Sequence, residues 1–442
     1  MPNSNVTAPG PPGAGAGLSD WLSYLESIHP VEMDLGLDRV LLVFRKLMPS
    51  RPRGRVITVG GTNGKGSTVA SLEALLLAAG ETVGCYTSPH LLSYNERVRI
   101  NGHDVSDEAL VRAFNQVEQA RGRTSLTYFE FGTLAAFLVM AETGVDNLVL
   151  EVGLGGRLDA VNVLDADLAI ITSVDLDHTA WLGEDRNSIG YEKAGILRPG
   201  QLAIYGDEEP PASVLQQADA QKVHLLRPGY GYDINVGATG AELATSDGHR
   251  ISLPVNSLPV NSLAAAAMAC LMLGIRLDDR AIADTLAGVT LPGRFEQVAH
   301  APDVFLDVGH NPHAAGWLSR RLETLRMSGR YRRVLAVYAG LEDKDSSGVA
   351  RRLAPVVDDW HLAGLVMPRG LSGERLAERI CSDVGTGDVI VHGAVADAIG
   401  AALASAGGDD LVLVFGSFFT VVEGKRYFST GSYGSVMDQS TL

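Results

Sequence analysis

The sequence predicts an α/β fold, with a large N-terminal domain built on a parallel sheet and a smaller C-terminal domain of the same class. At 442 residues the chain is too long for one ordinary hydrophobic core. Short, nearly continuous apolar segments alternate with helical patterns, which is typical of parallel strands buried on both faces. Residues 291–296, rich in Pro and Gly, interrupt this alternation, so we predict a domain boundary at residue 296.

The individual elements follow from the spacing of the apolar residues. In the first domain we expect strands at 55–59, 82–86, 147–152, 168–173 and 201–205, and helices at about 68–79, 107–120, 129–143 and 187–196. Polar turns in residues 206–259 predict an antiparallel insert. The second domain, residues 297–442, should contain strands near 303–308, 332–338, 388–392 and 410–415. The Pro/Gly/Ala-rich residues 1–17 predict a disordered leader before the first domain, residues 18–296.

Composition excludes several kinds of partner. A formal net charge of −16 argues against nucleic acid, because phosphate contacts need clustered Lys and Arg. The three cysteines have neither metal-binding nor disulfide spacing, which favours a reducing cytoplasm. No apolar run approaches the roughly 18 residues that a membrane-spanning helix needs. Composition therefore predicts a soluble, cytoplasmic protein without nucleic-acid or membrane partners.

The strongest local pattern lies in residues 56–68, where an apolar strand leads through a glycine-rich turn into a helix. Glycines allow backbone N–H groups to surround a phosphate, the helix N-terminus favours negative charge, and Lys65 adds a cation. The spacing departs from the usual P-loop, because Val59 replaces the first glycine and the hydroxyl of Ser67 comes two residues after the lysine. The pattern nevertheless predicts a site for the phosphates of ATP or GTP.

Polar residues follow three other predicted strands of the first domain. Glu151 ends an apolar strand, Asp175, Asp177 and His178 come just past another, and Ser88 follows a third. Because the carboxyl ends of parallel strands form the ligand-binding edge of such sheets, these side chains should face the phosphate loop. A carboxylate in that position favours Mg²⁺. His178 could equally be structural.

Two further segments are less specific. Lys193 lies on a short, largely apolar helix, and from its spacing alone it would be an ordinary surface lysine. In the second domain, Asp307, His310 and Asn311 again follow a strand. Polar clusters at strand ends of both domains suggest a site formed between the domains.

Taken together, these segments resemble the Mur ligase superfamily and, within it, the folylpolyglutamate and dihydrofolate synthases. The matching motifs of the first domain are Gly-Thr-Asn-Gly-Lys-Gly-Ser (61–67), Thr-Ser-Pro-His-Leu (87–91), Asn-Glu-Arg-Val-Arg-Ile-Asn-Gly (95–102), Tyr-Phe-Glu-Phe-Gly-Thr (128–133), Glu-Val-Gly-Leu-Gly-Gly-Arg-Leu-Asp-Ala (151–160) and Glu-Lys-Ala-Gly-Ile (192–196). Those of the second part are Pro-Gly-Arg-Phe-Glu (292–296), Asp-Val-Gly-His-Asn-Pro-His (307–313), Asp-Lys-Asp (343–345) and Gly-Ser-Phe-Phe-Thr-Val (416–421). The resemblance runs from about residue 20 to about residue 425.

The resemblance implies an ATP-dependent amide ligase, with a P-loop ATPase domain followed by a smaller Rossmann-like domain. It implies that ATP is held by Thr62, Asn63, Gly64, Lys65, Gly66, Ser67, Asn261, Arg294 and Asp307. It assigns Mg²⁺ to Ser88, Glu151 and His178, and a carbamylated side chain to Lys193. Lys65, Lys193 and His178 are then the expected catalytic residues.

The resemblance also implies the substrates, namely L-glutamate and an acceptor of that glutamate, which is dihydropteroate or a reduced folate. A loop at 27–39 resembles the family's dihydropteroate-binding loop. The expected substrate-binding residues are Ser27, Ile28 and His29 of that loop and Thr127, Tyr128, Phe129, Glu130, Leu158, Asp159, Ala160, His310 and Ser417. Phe129 could stack on a pterin and Asp159 could form hydrogen bonds with it. We therefore expect a monomeric enzyme with both dihydrofolate synthase and folylpolyglutamate synthase activity.

Other functions remain as alternatives. The chain could catalyse polyglutamylation alone, or it could be a Mur ligase that acts on a UDP-linked cell-wall precursor. A GTPase switch would need an Asn-Lys-x-Asp motif, and no Asn-Lys pair occurs in the sequence. A nicotinamide-dependent dehydrogenase would need Gly-x-Gly-x-x-Gly after the first strand, where Gly64 and Gly66 are followed by Val69.

Overall fold

The structure of the protein, a computed structural model, describes residues 10–13, 15–29, 31, 34–237, 240–384 and 389–429. Residues 1–9 and 14 of the expected leader, residue 388 of an expected strand and the C-terminal residues 430–442 lie outside the described part. The chain divides into two compact units, residues 1–256 with 260–289, and residues 257–259 with 290–442. The predicted fold class is confirmed, since the first unit contains a large, centrally parallel sheet and the second a smaller α/β sheet.

The elements of the first unit alternate as expected for a parallel sheet with helical crossovers. In chain order they are α1 (Leu18–Ser27), α2 (Asp38–Leu47), β1 (Arg55–Gly60), α3 (Lys65–Ala78), β2 (Val83–Tyr86), β3 (Val98–Ile100), β4 (His103–Asp104), α4 (Asp107–Arg121), α5 (Tyr128–Thr143), β5 (Asn147–Glu151), β6 (Leu168–Ile171), α6 (Thr179–Leu182), α7 (Arg186–Ala194), β7 (Leu202–Tyr205), α8 (Ala212–Ala220), β8 (His224–Pro228), β9 (Gly231–Gly237), β10 (Gly240–Thr245), β11 (Arg250–Leu253), α9 (Val260–Met272) and α10 (Asp279–Ala287). Short 3₁₀ helices cover Tyr94–Arg97 and Ala160–Val163.

The sheet of the first unit has the strand order β11-β10-β9-β8-β7-β6-β1-β5-β2-β3-β4. Strands β2, β5, β1, β6, β7 and β8 run parallel. In the register, Val59 on β1 lies opposite Glu151 on β5, and Gly60 lies opposite Ile171 on β6. The carboxyl ends of these three central strands therefore meet at one edge, which is the edge that the sequence predicts for ligands.

Most predicted boundaries in the first unit agree with the structure to within a few residues. The segment 206–259 was predicted only in part. Its antiparallel strands β9, β10 and β11 are present, but they follow a helix, α8, and a strand, β8, that extends the parallel part of the sheet. Both missed elements are short, and the sequence of β8 is mixed rather than apolar, so tertiary pairing decides their structure.

The second unit is a six-stranded sheet with helices between its strands. Its elements are β12 (Glu296–Ala299), β13 (Asp303–Asp307), α11 (Pro312–Met327), β14 (Val334–Tyr338), α12 (Ser346–Leu353), β15 (Asp359–Ala363), α13 (Gly373–Val384), β16 (Val389–His392), α14 (Val395–Ser405), β17 (Leu411–Phe415) and α15 (Phe418–Ser429). The order is β12-β13-β17-β14-β15-β16, with β12 antiparallel and the other strands parallel. The sequence did not predict β12 or β15.

No helix among the described residues is both long enough and apolar enough to cross a lipid bilayer.

The N-terminal helix α1 is anchored through aromatic packing. Its buried residues recur at helical spacing, so one face of the helix joins the core beside α4 and α5. The ring of Trp21, only 1% exposed, lies 5.9 Å from that of Phe114 and 6.4 Å from that of Phe131, measured between centroids. Trp21 thus fixes the helix that leads into the predicted substrate loop at 27–39.

We expect the substitution Trp21→Ala to lower the free energy of unfolding of the first unit by about 3–5 kcal/mol, because it removes a large buried ring. The measurement is urea unfolding followed by circular dichroism. Trp181→Ala, which removes a ring that is 49% exposed, is the control and should cost much less. Equal losses for the two variants would contradict the anchoring role of Trp21.

Candidate active site

The loop between β1 and α3 has a shape that only particular residues allow. Gly61 has a φ of +143° and Gly64 a φ of +87°, both in the region that favours glycine. A Cβ atom on Gly61 would lie only 1.9 Å from Oγ1 of Thr172. The loop therefore passes so close to the end of β6 that no side chain fits at position 61.

Hydroxyl and backbone groups just past β6 hold this loop in place. The amide of Thr62 donates to the carbonyl oxygen of Ser173 at 2.8 Å, and the amide of Asn63 donates to Oγ of Ser173 at 3.1 Å. Oγ1 of Thr172 donates to the carbonyl oxygen of Asn63 at 2.6 Å. Sequence reasoning gave Thr172 and Ser173 no role, although two hydroxyl residues directly after an apolar strand at the ligand edge were a usable signal.

Two lysine side chains converge on the carbonyl oxygen of Gly61. Nζ of Lys65 donates to it at 3.2 Å, and Nζ of Lys193, from α7, donates at 3.0 Å. Lys193 is only 4% exposed, so it is not the surface lysine that its spacing alone suggested. Neither amine is in an ion pair with a carboxylate of the described residues. Two lysine amines on one oxygen atom, neither paired with a carboxylate among these residues, favour the binding of an anionic ligand.

The environment of Lys193 lowers its pKa to about 7. The largest cause is burial, which disfavours the charged form, and the positive charge of Lys65 acts in the same direction. Asp177 and Asp159 oppose the shift. A substantial fraction of this amine is therefore neutral, and hence nucleophilic, near pH 7.

The residues predicted to bind a metal lie at the same edge. Glu151 ends β5 and is 5% exposed, and the amide of Ser88, just past β2, donates to its Oε2 at 3.3 Å. His178 is exposed, has a φ of +50° and precedes α6. In the part of the chain that the structure describes, no three His, Cys, Asp or Glu side chains form a metal-binding group. One carboxylate with a hydroxyl still suits Mg²⁺, which binds few protein groups alongside phosphate oxygens and water.

Helix α9 contributes to the surroundings of the phosphate loop. It packs along α3, and Oγ of Ser262 donates to the carbonyl oxygen of Gly64 at 3.3 Å. Its neighbour Asn261, predicted to contact nucleotide, is half-buried in the first turn of α9. Ser67 is buried in the first turn of α3, where several backbone amides have no acceptor within the helix.

A group of aromatic residues lies beside Glu151. The ring of Phe129 packs against Gly153, where a Cβ would come within 2.6 Å of a ring carbon. Its centroid is 6.0 Å from that of Tyr86, the last residue of β2. Burial raises the pKa of Tyr86, and the nearby positive charge of Arg97 opposes this shift. The half-buried Phe129 is thus available to stack against a flat ligand.

Arg97 completes this group. Its guanidinium lies 5.3 Å from the ring centroid of Tyr94 and 5.6 Å from that of Tyr128. Its Nε donates to Nδ1 of His90 at 2.8 Å. Burial, followed by the charge of Arg97, lowers the pKa of His90 to about 4, so the imidazole is neutral. Sequence reasoning quoted the motifs that contain His90 and Arg97 but assigned no role to either.

Two of the predicted substrate-binding residues hold the start of α5. Oγ1 of Thr127 accepts from the amide of Glu130 at 3.2 Å, and Oε2 of Glu130 accepts from the amide of Thr127 at 2.8 Å, which is a capping box. Both residues are buried. Glu130 also forms an ion pair with Nε of Arg39 at 2.9 Å, and Arg39 in turn pairs with Asp34. This chain of contacts connects the 27–39 loop to α5.

The predicted residues of that loop contact mainly the backbone. Oγ of Ser27 donates to the carbonyl oxygen of Tyr24 at 2.6 Å, and the carbonyl oxygen of Ile28 accepts from Oγ of Ser125 at 3.5 Å. Nδ1 of His29 lies 2.8 Å from the carbonyl oxygen of Val31.

Asp159 shapes the connection that follows β5. It is fully buried, and its carboxylate accepts from the amides of Leu154 and Val161 at 2.8 and 3.0 Å. Burial raises its pKa to about 6, although these hydrogen bonds and the charge of Lys65 lower it. Its neighbours Leu158 and Ala160 are half-buried and buried, respectively.

In the second unit, Asp307 ends β13 and is 5% exposed. Its carboxylate accepts from the amides of Phe295 and Gly309 at 2.8 and 2.7 Å. Burial raises its pKa, and the charge of Arg294 is the first of the opposing influences. The guanidinium of Arg294 lies 5.1 Å from the ring centroid of Phe418. The structure therefore places Arg294 close enough to Asp307 for their charges to interact, and their contact with nucleotide stays a prediction.

His310 and Ser417 lie near the same strand ends. In the register, Asp307 is opposite Phe415, and Ser417 follows β17 two residues later. Oγ of Ser417 lies 2.7 Å from Oγ1 of Thr420 and accepts from the amide of that residue at 3.0 Å. Nδ1 of His310 lies 2.9 Å from the carbonyl oxygen of Val308. Both predicted glutamate contacts are thus at the ligand edge of the second sheet.

Comparison with known proteins supports the two-domain α/β fold described above. Residues 59–267 match the Mur ligase middle domain, and residues 293–418 match the Mur ligase glutamate ligase domain. The chain therefore contains the two domains of the Mur ligase superfamily, as the sequence motifs indicated.

Individual relatives identify one family within this superfamily. The dihydrofolate synthase/folylpolyglutamate synthase of Escherichia coli K12 is 46% identical over 93% of this chain and 95% of its own. The structure of E. coli FolC in complex with DHPP and ADP matches with a TM-score of 0.90 and 44% identity, over 95% of this chain and 99% of that chain. A bifunctional folylpolyglutamate synthase/dihydrofolate synthase with Mn, AMPPNP and L-glutamate bound matches with a TM-score of 0.86 and 41% identity, over 95% and 99% of the two chains. The chain belongs to the dihydrofolate synthase/folylpolyglutamate synthase family.

The lowered pKa of Lys193 predicts a pH dependence of stability. The unfolded chain keeps this proton up to its ordinary pKa of 10.5, whereas the folded protein loses it near pH 7. Between these values the unfolded state binds more protons, so the stability from this residue rises with pH, by up to about 1.4 kcal/mol per pH unit. We expect Lys193→Met to abolish this rise in urea unfolding measured in CO₂-free buffers. The control Lys46→Met, at an exposed position on α2, should show the same dependence of stability on pH as the wild-type protein. If stability also rose with pH in Lys193→Met as it does in the wild-type protein, the rise could not be assigned to Lys193.

Proposed function

We propose that this protein is an ATP-dependent ligase that joins L-glutamate to dihydropteroate, forming dihydrofolate, and to reduced folates, forming polyglutamates. The observation that carries the proposal is the convergence of Lys65 and Lys193 on the carbonyl oxygen of Gly61, beside a glycine-rich helix N-terminus. This arrangement suits the phosphates of ATP. The relatives named dihydrofolate synthase/folylpolyglutamate synthase support the choice of substrates.

The reaction needs activation of a carboxylate, which is a poor acyl donor. The carboxylate oxygen attacks the terminal phosphorus of ATP, ADP leaves, and an acyl phosphate forms. The amine of glutamate then attacks the carbonyl carbon, and the tetrahedral intermediate expels phosphate to leave the amide. Lys65 neutralises charge on the transferring phosphoryl group, and the backbone amides at the start of α3 donate to its oxygens. No covalent attachment to a side chain is needed.

A divalent cation fits the residues at this edge of the sheet. Ser88, Glu151 and His178 would hold it, because the amide contact puts Ser88 beside the buried carboxylate of Glu151. The structure of one relative has Mn, AMPPNP and L-glutamate bound. When bound, Mg²⁺ would neutralise phosphate charge and orient the terminal phosphate for transfer.

Lys193 is proposed to carry a carbamate. Its neutral amine would attack CO₂, forming an N–C bond and releasing one proton, and the product is an anion. The burial and lowered pKa of Lys193 support this step, because they supply a neutral amine near pH 7. The carbamate would support metal binding and would remove the repulsion between two lysines on one oxygen atom.

The second unit is proposed to complete the binding of substrates. Arg294 and Asp307 are the proposed nucleotide contacts of this unit. His310 and Ser417 are the contacts to the incoming glutamate, and their positions at neighbouring strand ends of the second unit support this role.

The setting proposed for this activity is a monomer in the cytoplasm. The compartment is supported by the three cysteines, of which Cys85 and Cys270 are buried and Cys381 is exposed, all as free thiols. The monomeric state rests on the family resemblance alone.

The activity is tested by glutamate-dependent release of ADP from ATP and Mg²⁺, with dihydropteroate, tetrahydrofolate or a UDP-muramyl compound as acceptor. We expect turnover with both pterin compounds and a loss of roughly 10²–10³-fold in kcat for Lys65→Met, because its charge acts on the transferring phosphoryl group. Lys46→Met is the matched control. Turnover with tetrahydrofolate alone would show that the protein lacks dihydrofolate synthase activity. Turnover with the muramyl compound alone would overturn the assignment of folate substrates.

The carbamate is tested with ¹³C-labelled bicarbonate. We expect the wild-type protein to show a carbamate signal in its ¹³C NMR spectrum at pH 8, and Lys193→Arg to lack it, because a guanidinium does not react with CO₂. Activity of the wild-type protein should also fall in CO₂-free buffer and recover when bicarbonate is added. An identical spectrum for the two proteins would rule out a carbamate on Lys193.

A further inference from the structure

Arg97 stands apart from the other arginines near the predicted acceptor pocket. Arg39, Arg99 and Arg121 form ion pairs with Glu130, Glu73 and Glu118, respectively. Arg97 contacts two tyrosine rings and one imidazole, and it has no ion pair with a carboxylate of the described residues. A partly buried guanidinium without an anion is costly to keep, so its site is better explained by an anionic ligand.

The contacts of Arg97 leave donors for such a ligand. The cation–π contacts with the rings of Tyr94 and Tyr128 do not use hydrogen-bond acceptors, so they leave the N–H groups of the guanidinium available. Nε–H donates to Nδ1 of His90 at 2.8 Å, and the side chain also forms a hydrogen bond with Tyr86, so part of its five N–H donors remains for a ligand. Because arginine can only donate, Nδ1 of His90 must accept, and its proton therefore lies on Nε2. The pair thus offers terminal guanidinium donors and one imidazole donor.

Arg97 also lies at the ligand edge of the first sheet. Its carbonyl oxygen accepts from the amide of Thr87 at 2.9 Å, so it lies next to the carboxyl end of β2. Ser88, the next residue, donates from its amide to Glu151. Tyr128, which stacks on Arg97, adjoins Phe129 in the chain. Arg97 therefore lies near the edge where the carboxylate of the acceptor would react, and it contacts the chain neighbour of the predicted pterin-stacking ring.

We propose that Arg97, assisted by His90, binds the non-reacting carboxylate of a folate's terminal glutamate, and so determines specificity for glutamylated acceptors over dihydropteroate. This inference rests on the proposed function. A folate that already carries glutamate has two carboxylates on its last residue, a few bonds apart, and one of them reacts. Dihydropteroate has a single carboxylate, which is the reacting one. A cation that pairs with the second carboxylate therefore distinguishes the two acceptors.

The test compares kcat/KM for dihydropteroate and for tetrahydrofolate in the full-length protein. For Arg97→Gln we expect a loss of roughly 10- to 100-fold with tetrahydrofolate, the range for one charge-assisted contact. With dihydropteroate the change should stay within about threefold. Arg227→Gln is the matched control, because Arg227 also stacks on a tyrosine, Tyr230, at 5.6 Å, but lies on β8, with β7, β6, β1 and β5 between it and β2.

A chemical variant of the substrate separates recognition from folding. In a tetrahydrofolate analogue, the non-reacting carboxylate is replaced by a carboxamide. For the wild-type protein, kcat/KM should be lower with the analogue than with tetrahydrofolate, by the same factor as the loss expected for Arg97→Gln with tetrahydrofolate. For Arg97→Gln, kcat/KM should be equal for tetrahydrofolate and the analogue. If Arg97→Gln does not fold, the comparison is made with Arg97→Lys, which should show an intermediate preference.

Three results would overturn the proposal: equal losses with dihydropteroate and tetrahydrofolate, no loss with either, or a wild-type protein that does not discriminate against the carboxamide. The first would mean that Arg97 acts on the reacting group or only supports the pocket. A wild-type protein inactive with both pterin compounds would instead refute the proposed function, so the two failures are distinguishable.

Discussion

The close approach of Gly61 to the end of β6 is the constraint on which the first unit's site depends. Because no side chain fits there, Thr172 and Ser173 can bind the loop backbone directly. The loop then presents the carbonyl oxygen of Gly61 to two lysines and carries the chain into α3 at Gly64. A Cβ at position 61 would clash with Thr172, and the loop, the helix start and both lysine contacts would have to move together.

The same constraint creates an electrostatic problem that a ligand solves. Lys65 and Lys193 donate to one oxygen atom, and burial together with the charge of Lys65 lowers the pKa of Lys193. Either bound phosphates or loss of the charge on Lys193 relieves the repulsion. A carbamate would do more, because it turns a like-charge pair into an opposite-charge pair. The proposed modification therefore follows from the same geometry that indicates the phosphate site.

Much of this arrangement could be predicted from sequence, because it depends on local patterns. Apolar strands with polar residues at their carboxyl ends identified the phosphate loop, Glu151 and Asp307, and the alternation with helices predicted the fold class. The strand β15 was missed because its sequence Asp-Trp-His-Leu-Ala alternates polar and apolar residues, unlike the nearly continuous apolar runs that predicted the other parallel strands. The burial of Lys193 and the absence of an anionic partner for Arg97 depend on packing between distant segments, which spacing along the chain does not encode. Thr172 and Ser173 were visible in the sequence, but only the approach of Gly61 gives their hydroxyls a function.

The acceptor pocket shows how family motifs mix two kinds of residue. Thr127 and Glu130 cap α5, and the carboxylate of Asp159 accepts hydrogen bonds from two backbone amides. Much of the hydrogen-bonding capacity of these side chains is therefore used within the protein. Tyr128 and Phe129, between the two capping residues, are half-buried and present their rings. The capping box fixes where α5 begins, and hence where these rings lie. A substitution at Thr127 or Glu130 would therefore disturb acceptor binding through the position of the rings, even if neither side chain touched the substrate.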